Sequence, residues 1–154
     1  MLNEGKVRTA EITFRRVLAK DPADVSALNG LGFCLLNTGK TASAKEYFEK
    51  CLELNPDEVG AMNGLARCLK AEGKVSDAIA MWERMREKSP GAMAATIGLA
   101  ATYLEQGEHA KAAPLYEELV AAMPGNQQFR SGLEAAQKGM KDSQQKAEKA
   151  KDAT

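Results

Sequence analysis

Apolar residues recur along this chain at helical spacing, and the pattern breaks twice within residues 25–58. The first apolar set consists of Leu28, Leu31 and Leu35, and the second of Ala44, Tyr47, Phe48, Cys51 and Leu52. The first set keeps the i, i+3, i+7 spacing of one helical face, and the spacing of the second set is again helical. Gly39-Lys40 separates the sets, and Asn55-Pro56 follows the second. This stretch therefore predicts a helix, a tight turn, a second helix and a closing turn.

The same pattern returns every 34 residues. Four series keep this step: Gly30, Gly64, Gly98 and Gly132; Pro22, Pro56, Pro90 and Pro124; Ala10, Ala44, Ala78 and Ala112; Gly5, Gly39, Gly73 and Gly107. Such a period is typical of stacked repeats, in which each unit buries its apolar face against its neighbours. We predict a half repeat over 1–22, whole repeats over 25–58, 59–92 and 93–126, and a capping helix over 127–140. The charged tail 141–154 should be disordered or a frayed extension of that helix.

Turn residues support this division. Gly39, Gly73 and Gly107 follow each first helix, where a left-handed residue ends a helix without strain. A residue that precedes proline can cap the next helix while proline takes its first position, or the pair can form a plain turn. Asp21, Asn55 and Ser89 are the residues open to these two interpretations.

Small residues set how closely the helices approach. Each alanine of the Ala10 series lies one turn before an aromatic residue, so that the methyl group permits close approach and the ring fills the space beside it. The rings are those of Phe14, Phe48, Trp82 and Tyr116. Gly30, Gly64 and Gly98 are costly inside helices, so close helix contact or close ligand approach must require them. Pro114 should cost a hydrogen bond or bend its helix if that helix begins before Ala110.

These residues resemble the tetratricopeptide repeat, over residues 1 to about 138. The motif positions are Leu28, Leu31, Gly32, Leu35, Ala44, Phe48 and Pro56; then Met62, Leu65, Ala66, Leu69, Ala78, Trp82 and Pro90; then Thr96, Leu99, Ala100, Tyr103, Ala112, Tyr116 and Pro124. The resemblance implies an all-α fold, a right-handed superhelix of antiparallel helix pairs. It also implies that the first helices line a concave groove for a peptide or a partner helix, and that the fold itself catalyses nothing.

Three stripes on the first helices face the groove by this resemblance. They are Asn29, Phe33, Leu36 and Asn37; Asn63, Arg67, Lys70 and Ala71; and Ile97, Ala101, Leu104 and Glu105. Asn29 and Asn63 are equivalent, and their amides could grip a ligand main chain or hydrogen-bond to neighbouring helices. Arg67 and Lys70 could receive a carboxylate, or form a solvated surface pair.

The ligand should carry apolar side chains. Phe33, Leu36, Ile97 and Leu104 favour such a ligand, whereas the Lys, Asn and Arg set with which some relatives clamp the carboxylates of chaperone tails is absent. The sites where that set is expected hold Asn29, Phe33, Gly64, Ala94 and Gly98.

Composition narrows the functional classes further. With 21 basic and 21 acidic residues, no net field attracts nucleic acid or an anionic membrane. We find no apolar run long enough to span a membrane and no leader, which predicts a cytoplasmic location. Cys34, Cys51 and Cys68 fit no disulfide or zinc pattern and should be buried thiols. His109 should be a surface residue. No pairing of a nucleophile with a base and no phosphate-binding glycine loop appears in the sequence, so we expect no cofactor, no metal and no enzyme activity.

The two ends of the chain differ. Arg130 and Gln137 stand where earlier repeats carry apolar residues, so the last helix is a polar cap. The first helix lacks a cap, and Phe14 should lose part of its cover. Either the chain is excised from a longer protein, whose catalytic domain the repeats could regulate, or this helix pairs with another copy to form a homo-oligomer. We predict a protein-binding module or, alternatively, an assembly element that acts through its edges.

Overall fold

The computed structural model describes residues 2–153, which form eight helices and no strand. The helices are α1 (Leu2–Lys20), α2 (Val25–Asn37), α3 (Thr41–Leu54), α4 (Val59–Ala71), α5 (Val75–Lys88), α6 (Met93–Glu105), α7 (His109–Ala122) and α8 (Gln127–Asp152). The chain divides into two compact units between Pro90 and Gly91. The predicted alternation of first and second helices is confirmed in each unit, and the fold is all-α.

The first unit holds α1 to α5, each packed on the next. Its core joins α2, α3 and α4, and it is built from the apolar positions that the periodicity selects. Members of this core are Leu28, Leu31, Leu35, Ala44, Phe48, Cys51, Ala61, Leu65 and Cys68. Phe48 and Ala44 are completely buried, whereas their equivalents Phe14 and Ala10 are only partly buried. The prediction that Phe14 is less buried than its equivalents is thus confirmed.

The second unit holds α6, α7 and α8. Its core contains Ala100, Ala112, Ala113, Tyr116, Leu119, Phe129 and Ala136. On the outer side of α8, Arg130, Glu134 and Gln137 are exposed, as a polar cap requires. The helix runs on to Asp152, and all residues from 141 to 152 are exposed. The predicted tail 141–154 thus lies in α8 as far as Asp152, and Thr154 lies outside the described residues.

Glycine ends the first helices as predicted. Gly39, Gly73 and Gly107 have φ values of 78°, 81° and 74°, which only glycine adopts at little cost. Gly5 differs, because α1 continues through it from Leu2 to Lys20.

The prolines lie in turns, so of the two interpretations left open for these pairs the plain turn is the one observed. The helices that follow Pro22, Pro56 and Pro90 begin three residues later, at Val25, Val59 and Met93. Asn55 and Ser89 instead end the preceding helices, with extended ψ angles of 92° and 84°. The proline ring disfavours the helical conformation of the residue before it, so each pair acts as a helix stop. The residue that caps α2 is Asp24, whose carboxylate accepts a hydrogen bond from the Ala27 amide at 2.7 Å.

Thr102 presents an energetic defect in the second unit. Its side chain is 1% exposed, and its Oγ1 is buried without a hydrogen-bond partner among the described residues. The equivalent positions hold Cys34 and Cys68, which lack a hydroxyl. Since a buried, unpaired hydroxyl is costly, Thr102→Val should raise the free energy of unfolding by about 1 kcal/mol, measured by urea denaturation.

Thr96→Val is the matched control for this substitution. Thr96 is equally buried, but its Oγ1 lies 3.4 Å from Glu118 Oε1, with which it forms a hydrogen bond. Valine at this position should bring no gain. If Thr102→Val is no more stable than the unmodified chain, the hydroxyl of Thr102 is not a defect.

Candidate binding surface

The predicted groove residues of the first unit lie on one face of α2 and α4. We call this surface the α2–α4 face; its residues are Asn29, Phe33, Leu36, Asn37, Asn63, Arg67 and Lys70. Asn37, the last residue of α2, and Arg67 are exposed, and the others are partly buried. Ala71, the last residue of the α4 stripe, is exposed. The face therefore combines accessible polar groups with apolar side chains that are half covered.

Asn63 is held by a contact that the sequence did not reveal. The indole Nε1 of Trp82, on α5, donates a hydrogen bond to Asn63 Oδ1 at 3.1 Å. A buried indole N–H needs an acceptor, and Trp82 is only 2% exposed. With its oxygen engaged, the amide keeps Nδ2 as the group that can serve a ligand, and Nδ2 can only donate. Of the two roles foreseen for this residue, the hydrogen bond between helices is confirmed.

Asn29 has a different environment from its equivalent. The ring that corresponds to Trp82 is Phe48, which has no donor. Asn29 Oδ1 is buried and accepts no hydrogen bond from the described residues. Its Nδ2 lies close to Gly60, where an added Cβ would approach to 2.6 Å. Gly60, at the second position of α4, thus makes room for the amide, a role that the sequence analysis missed because no periodic signal marks this glycine.

Phe33 and Arg67 are brought together on the α2–α4 face. The guanidinium of Arg67 lies over the Phe33 ring, 6.0 Å from its centroid, within the range of a cation–π interaction. Phe33 also meets Phe48 edge to face, with centroids 4.9 Å apart. Phe33 is thus anchored to the core on one side and carries a cation on the other.

The third predicted stripe lies on α6, in the second unit. Ile97 is 38% exposed, Ala101 and Leu104 are partly buried, and Glu105 is exposed. Leu104 packs against the core of this unit. The stripe thus offers mainly apolar contact area.

Two glycines at the repeated position, Gly30 and Gly64, serve close helix contact. A Cβ on Gly30 would lie 2.4 Å from the ring of Phe14, and one on Gly64 would lie 2.2 Å from the ring of Phe48. Gly132 meets Tyr116 in the same way, at 2.3 Å. Packing therefore accounts for Gly30 and Gly64, and for Gly98 the question stays open as a prediction.

The three cysteines are buried thiols, as expected. Burial raises the pKa of Cys51 and of Cys68 to about 11 and raises that of Cys34 as well. These thiols are therefore protonated at neutral pH, which makes them poor nucleophiles and poor metal ligands.

The interpretation of His109 as a surface residue is wrong. Its ring is partly buried, and it packs so closely on α8 that a Cβ at Gly139 would lie 2.4 Å from it. Its Nδ1 is buried without a hydrogen-bond partner in the described chain. The cause is the length of α8, which continues past Gly139 and covers the start of α7.

This chain has the features of a tetratricopeptide-type helical repeat protein. Its helices are paired, glycines end the first helix of each pair, alanines and aromatic rings pack between the helices, and the first helices present an accessible face. A family profile described as the middle TPR-like domain of cilia and flagella-associated protein 70 matches residues 3–127. The chain belongs to this family. Among curated proteins, none matches the sequence.

Solved structures of similar fold include other tetratricopeptide repeat proteins. The crystal structure of MamA protein is 25% identical, with a TM-score of 0.75, over 90% of this chain and 75% of that one. A tetratricopeptide repeat protein from Parabacteroides merdae is 16% identical, with a TM-score of 0.74, over 92% of this chain and 56% of that one. An O-GlcNAc transferase mutant from Thermobaculum terrenum is 23% identical, with a TM-score of 0.72, over 77% of this chain and 23% of that one.

The fold typically serves as a scaffold for protein–protein interaction and is typically non-enzymatic. No helix within residues 2–153 is long and apolar enough to cross a bilayer.

Proposed function

We propose that this chain is a protein-interaction module that binds an extended peptide segment or a partner helix along its first helices. In the first unit the α2–α4 face offers polar contacts to such a ligand, and in the second unit the α6 stripe of Ile97, Ala101, Leu104 and Glu105 offers apolar area of its own. The partner is a protein, and neither nucleic acid nor a cofactor is involved. The proposal depends above all on Asn63, whose amide is fixed by Trp82 and keeps a donor for a ligand carbonyl.

The chemistry of the α2–α4 face indicates what the peptide must present. Asn63 Nδ2 requires an acceptor, which every peptide backbone provides at its carbonyl groups. Phe33 is only partly buried and lies against the exposed Arg67, so the pair suits an apolar side chain next to an acidic group or a chain terminus. A segment that alternates apolar and acidic residues fits these requirements.

Asn63→Asp tests this proposal. The carboxylate still accepts the Trp82 hydrogen bond, so the fold is retained, but the donor is replaced by an acceptor that repels a ligand carbonyl. Asn63→Ala is a poorer test, because it leaves the buried indole N–H unpaired. Peptides selected from a random displayed library on the unmodified chain should bind Asn63→Asp at least about tenfold more weakly, a loss of about 1.4 kcal/mol, in fluorescence titrations.

Asn126→Asp is the control for the added charge. Asn126 caps α8 by accepting from the Phe129 amide at 3.2 Å, and aspartate caps equally well. Selected peptides should bind this variant as they bind the unmodified chain. Peptides that bind Asn63→Asp with full affinity would contradict the proposal.

An assembly role is the second candidate, and the uncovered side of α1 favours it. Ala10 and Phe14 are less buried than their equivalents in α3 and α5. In this role the repeats would join a complex through α1, as a scaffold, as a homo-oligomer or as the regulatory segment of a larger protein.

A further inference from the structure

The same six positions are exposed on every second helix. We call them the outer face of the helix, and on α1 they hold Arg8, Ile12, Arg15, Arg16, Ala19 and Lys20. The residues one, two and three periods later, on α3, α5 and α7, are all exposed as well. Exposure at these positions is therefore a property of the repeat itself, and α1 follows the same rule as the helices that have neighbours on both sides in sequence.

The charge of the outer face changes sign between α1 and α3. On α1 the outer face has four basic residues and no acidic one. On α3 it has three glutamates and a single lysine, in the set Ala42, Glu46, Glu49, Lys50, Glu53 and Leu54. The equal numbers of acidic and basic residues in the whole chain conceal this separation. Two faces in the first unit thus carry complementary charge.

Most of these charges lack an opposite partner within the chain. Arg15 is paired with Glu11 at 2.8 Å, and Lys50 lies over the Tyr47 ring, 5.6 Å from its centroid. Among the described residues, no ion pair involves the other cations of the α1 face or the glutamates of the α3 face, which are Arg8, Arg16, Lys20, Glu46, Glu49 and Glu53. Three cations and three carboxylates are therefore available to another molecule.

Each of the two faces also presents one large apolar side chain to solvent. Ile12 on α1 is 61% exposed and Leu54 on α3 is 52% exposed, the two highest values among the large apolar residues that the structure describes. Since each is flanked by charged residues, the faces combine apolar contact area with a charged surround, which is the usual composition of a protein interface.

The outer faces of α1 and α3 form one surface. Successive helices are antiparallel, so that α1 and α3 run in the same direction. Tyr47 of α3 is close to Arg15 of α1, because it adds to the effect by which Glu11 raises the pKa of Arg15. The combined surface is basic along α1 and acidic along α3.

Such a surface is complementary to itself. A twofold axis that lies between the two helices and parallel to them places α1 of each copy on α3 of the other. Arg16 then lies near Glu49 of the second copy, and Lys20 near its Glu53, because each pair is 33 residues apart in a chain whose period is 34. An axis at right angles to the helices would instead place α1 on α1, where like charges repel.

We propose that this chain forms a symmetric dimer in which the basic outer face of α1 binds the acidic outer face of α3 of a second copy. Ile12 and Leu54 add apolar contact to the ion pairs. The interface gives the assembly role a defined surface and uses no residue of the α2–α4 face. A foreign acidic protein would complement only the α1 half of the surface, and the glutamates of α3 would repel an anionic membrane or a nucleic acid.

Sedimentation equilibrium of the intact chain measures this association. The faces are small for an interface, so at low ionic strength the dimer should have a Kd in the range of about 1–100 μM. About 1 M salt screens charges beyond about 3 Å and should raise the Kd at least about tenfold. A chain that stays monomeric up to about 1 mM at low ionic strength would overturn the proposal.

Charge reversal identifies the surfaces that meet. Arg16→Glu and Glu49→Lys should each raise the Kd at least about tenfold, because each places like charges together at both symmetric contacts. A mixture of these two variants should dimerise again, since each contact then joins opposite charges. The double variant with both changes should also recover the original Kd, because the charges have only exchanged places.

Lys138→Glu and Glu134→Lys are the matched controls. They make the same charge changes at exposed positions of α8 and should leave the Kd unchanged. Dimerisation that survives Arg16→Glu, or a mixture of the two single variants that remains monomeric, would overturn the proposal. A monomeric chain that binds phosphatidylserine vesicles through Arg16 would also overturn it, and would assign the basic face to a membrane. Peptide binding to the α2–α4 face is measured separately through Asn63→Asp, so failure of either proposal leaves the other testable.

Discussion

Gly64→Ala should lower the free energy of unfolding by about 2 kcal/mol, even though alanine is the better helix former. A Cβ at this position would lie 2.2 Å from the tip of the Phe48 ring. The ring cannot retreat, because it is 0% exposed and a Cβ at Gly32 would lie only 2.6 Å from its other side. Overpacking costs about 1–3 kcal/mol and sometimes more, which exceeds the gain of about 1 kcal/mol in helix propensity.

Urea denaturation of three variants tests this balance. Gly5→Ala is the control, because α1 has nothing within 4 Å of the added methyl group, and it should be up to about 1 kcal/mol more stable than the unmodified chain. In a Phe48→Leu background the penalty of Gly64→Ala should shrink, since leucine leaves room for the methyl group. A Gly64→Ala variant of full stability that fails only in peptide binding would assign this glycine to ligand approach instead.

Pro114→Ala should raise the free energy of unfolding by about 2 kcal/mol. Helix α7 begins at His109, so Pro114 lies inside it and cannot donate to the carbonyl of Ala110. Proline costs about 3 kcal/mol at such a position, and alanine forfeits roughly 1 kcal/mol because it frees the unfolded chain. The side chain is exposed, so its replacement removes no core contact.

Thermal denaturation is the simplest measurement of this gain. For a chain of this length, 2 kcal/mol corresponds to a rise in Tm of about 4–8 °C. Ala121→Gly is the control, because Ala121 lies at an exposed position late in the same helix. This substitution should lower the free energy of unfolding by about 1 kcal/mol. Ala113→Pro is unsuitable, because Ala113 is buried. An unchanged or lower Tm in Pro114→Ala would mean that α7 depends on the bend that proline imposes.

The fold follows from the sequence to an unusual degree because its contacts are local. Within each unit every helix packs on the next in the chain, so a period of 34 residues carries both the helices and their partners. The turn glycines were predicted for the same reason, since a left-handed residue is a local requirement. The role of the prolines stayed open because an Asn-Pro or Ser-Pro pair satisfies two local rules, and only the observed helix ends show which one applies.

The candidate site was less predictable. The spacing of Asn29 and Asn63 put them in equivalent places, but their amides differ because one faces a tryptophan and the other a phenylalanine. That difference depends on which atoms meet across a helix pair, and the 34-residue spacing alone does not predict those contacts. The covered ring of His109 has the same origin, because it depends on how far α8 continues.

By itself, the sequence determined the helical class, the period, the turn glycines, the buried seam of alanines and rings, and the polar last helix. These properties come from residue type and spacing along a chain whose neighbours in sequence are neighbours in space. The tertiary structure alone decided that Trp82 holds the Asn63 amide and that the Phe48 ring requires Gly64. Each of these is a contact between side chains of different helices, where tenths of an ångström and the presence of a single donor change the energy.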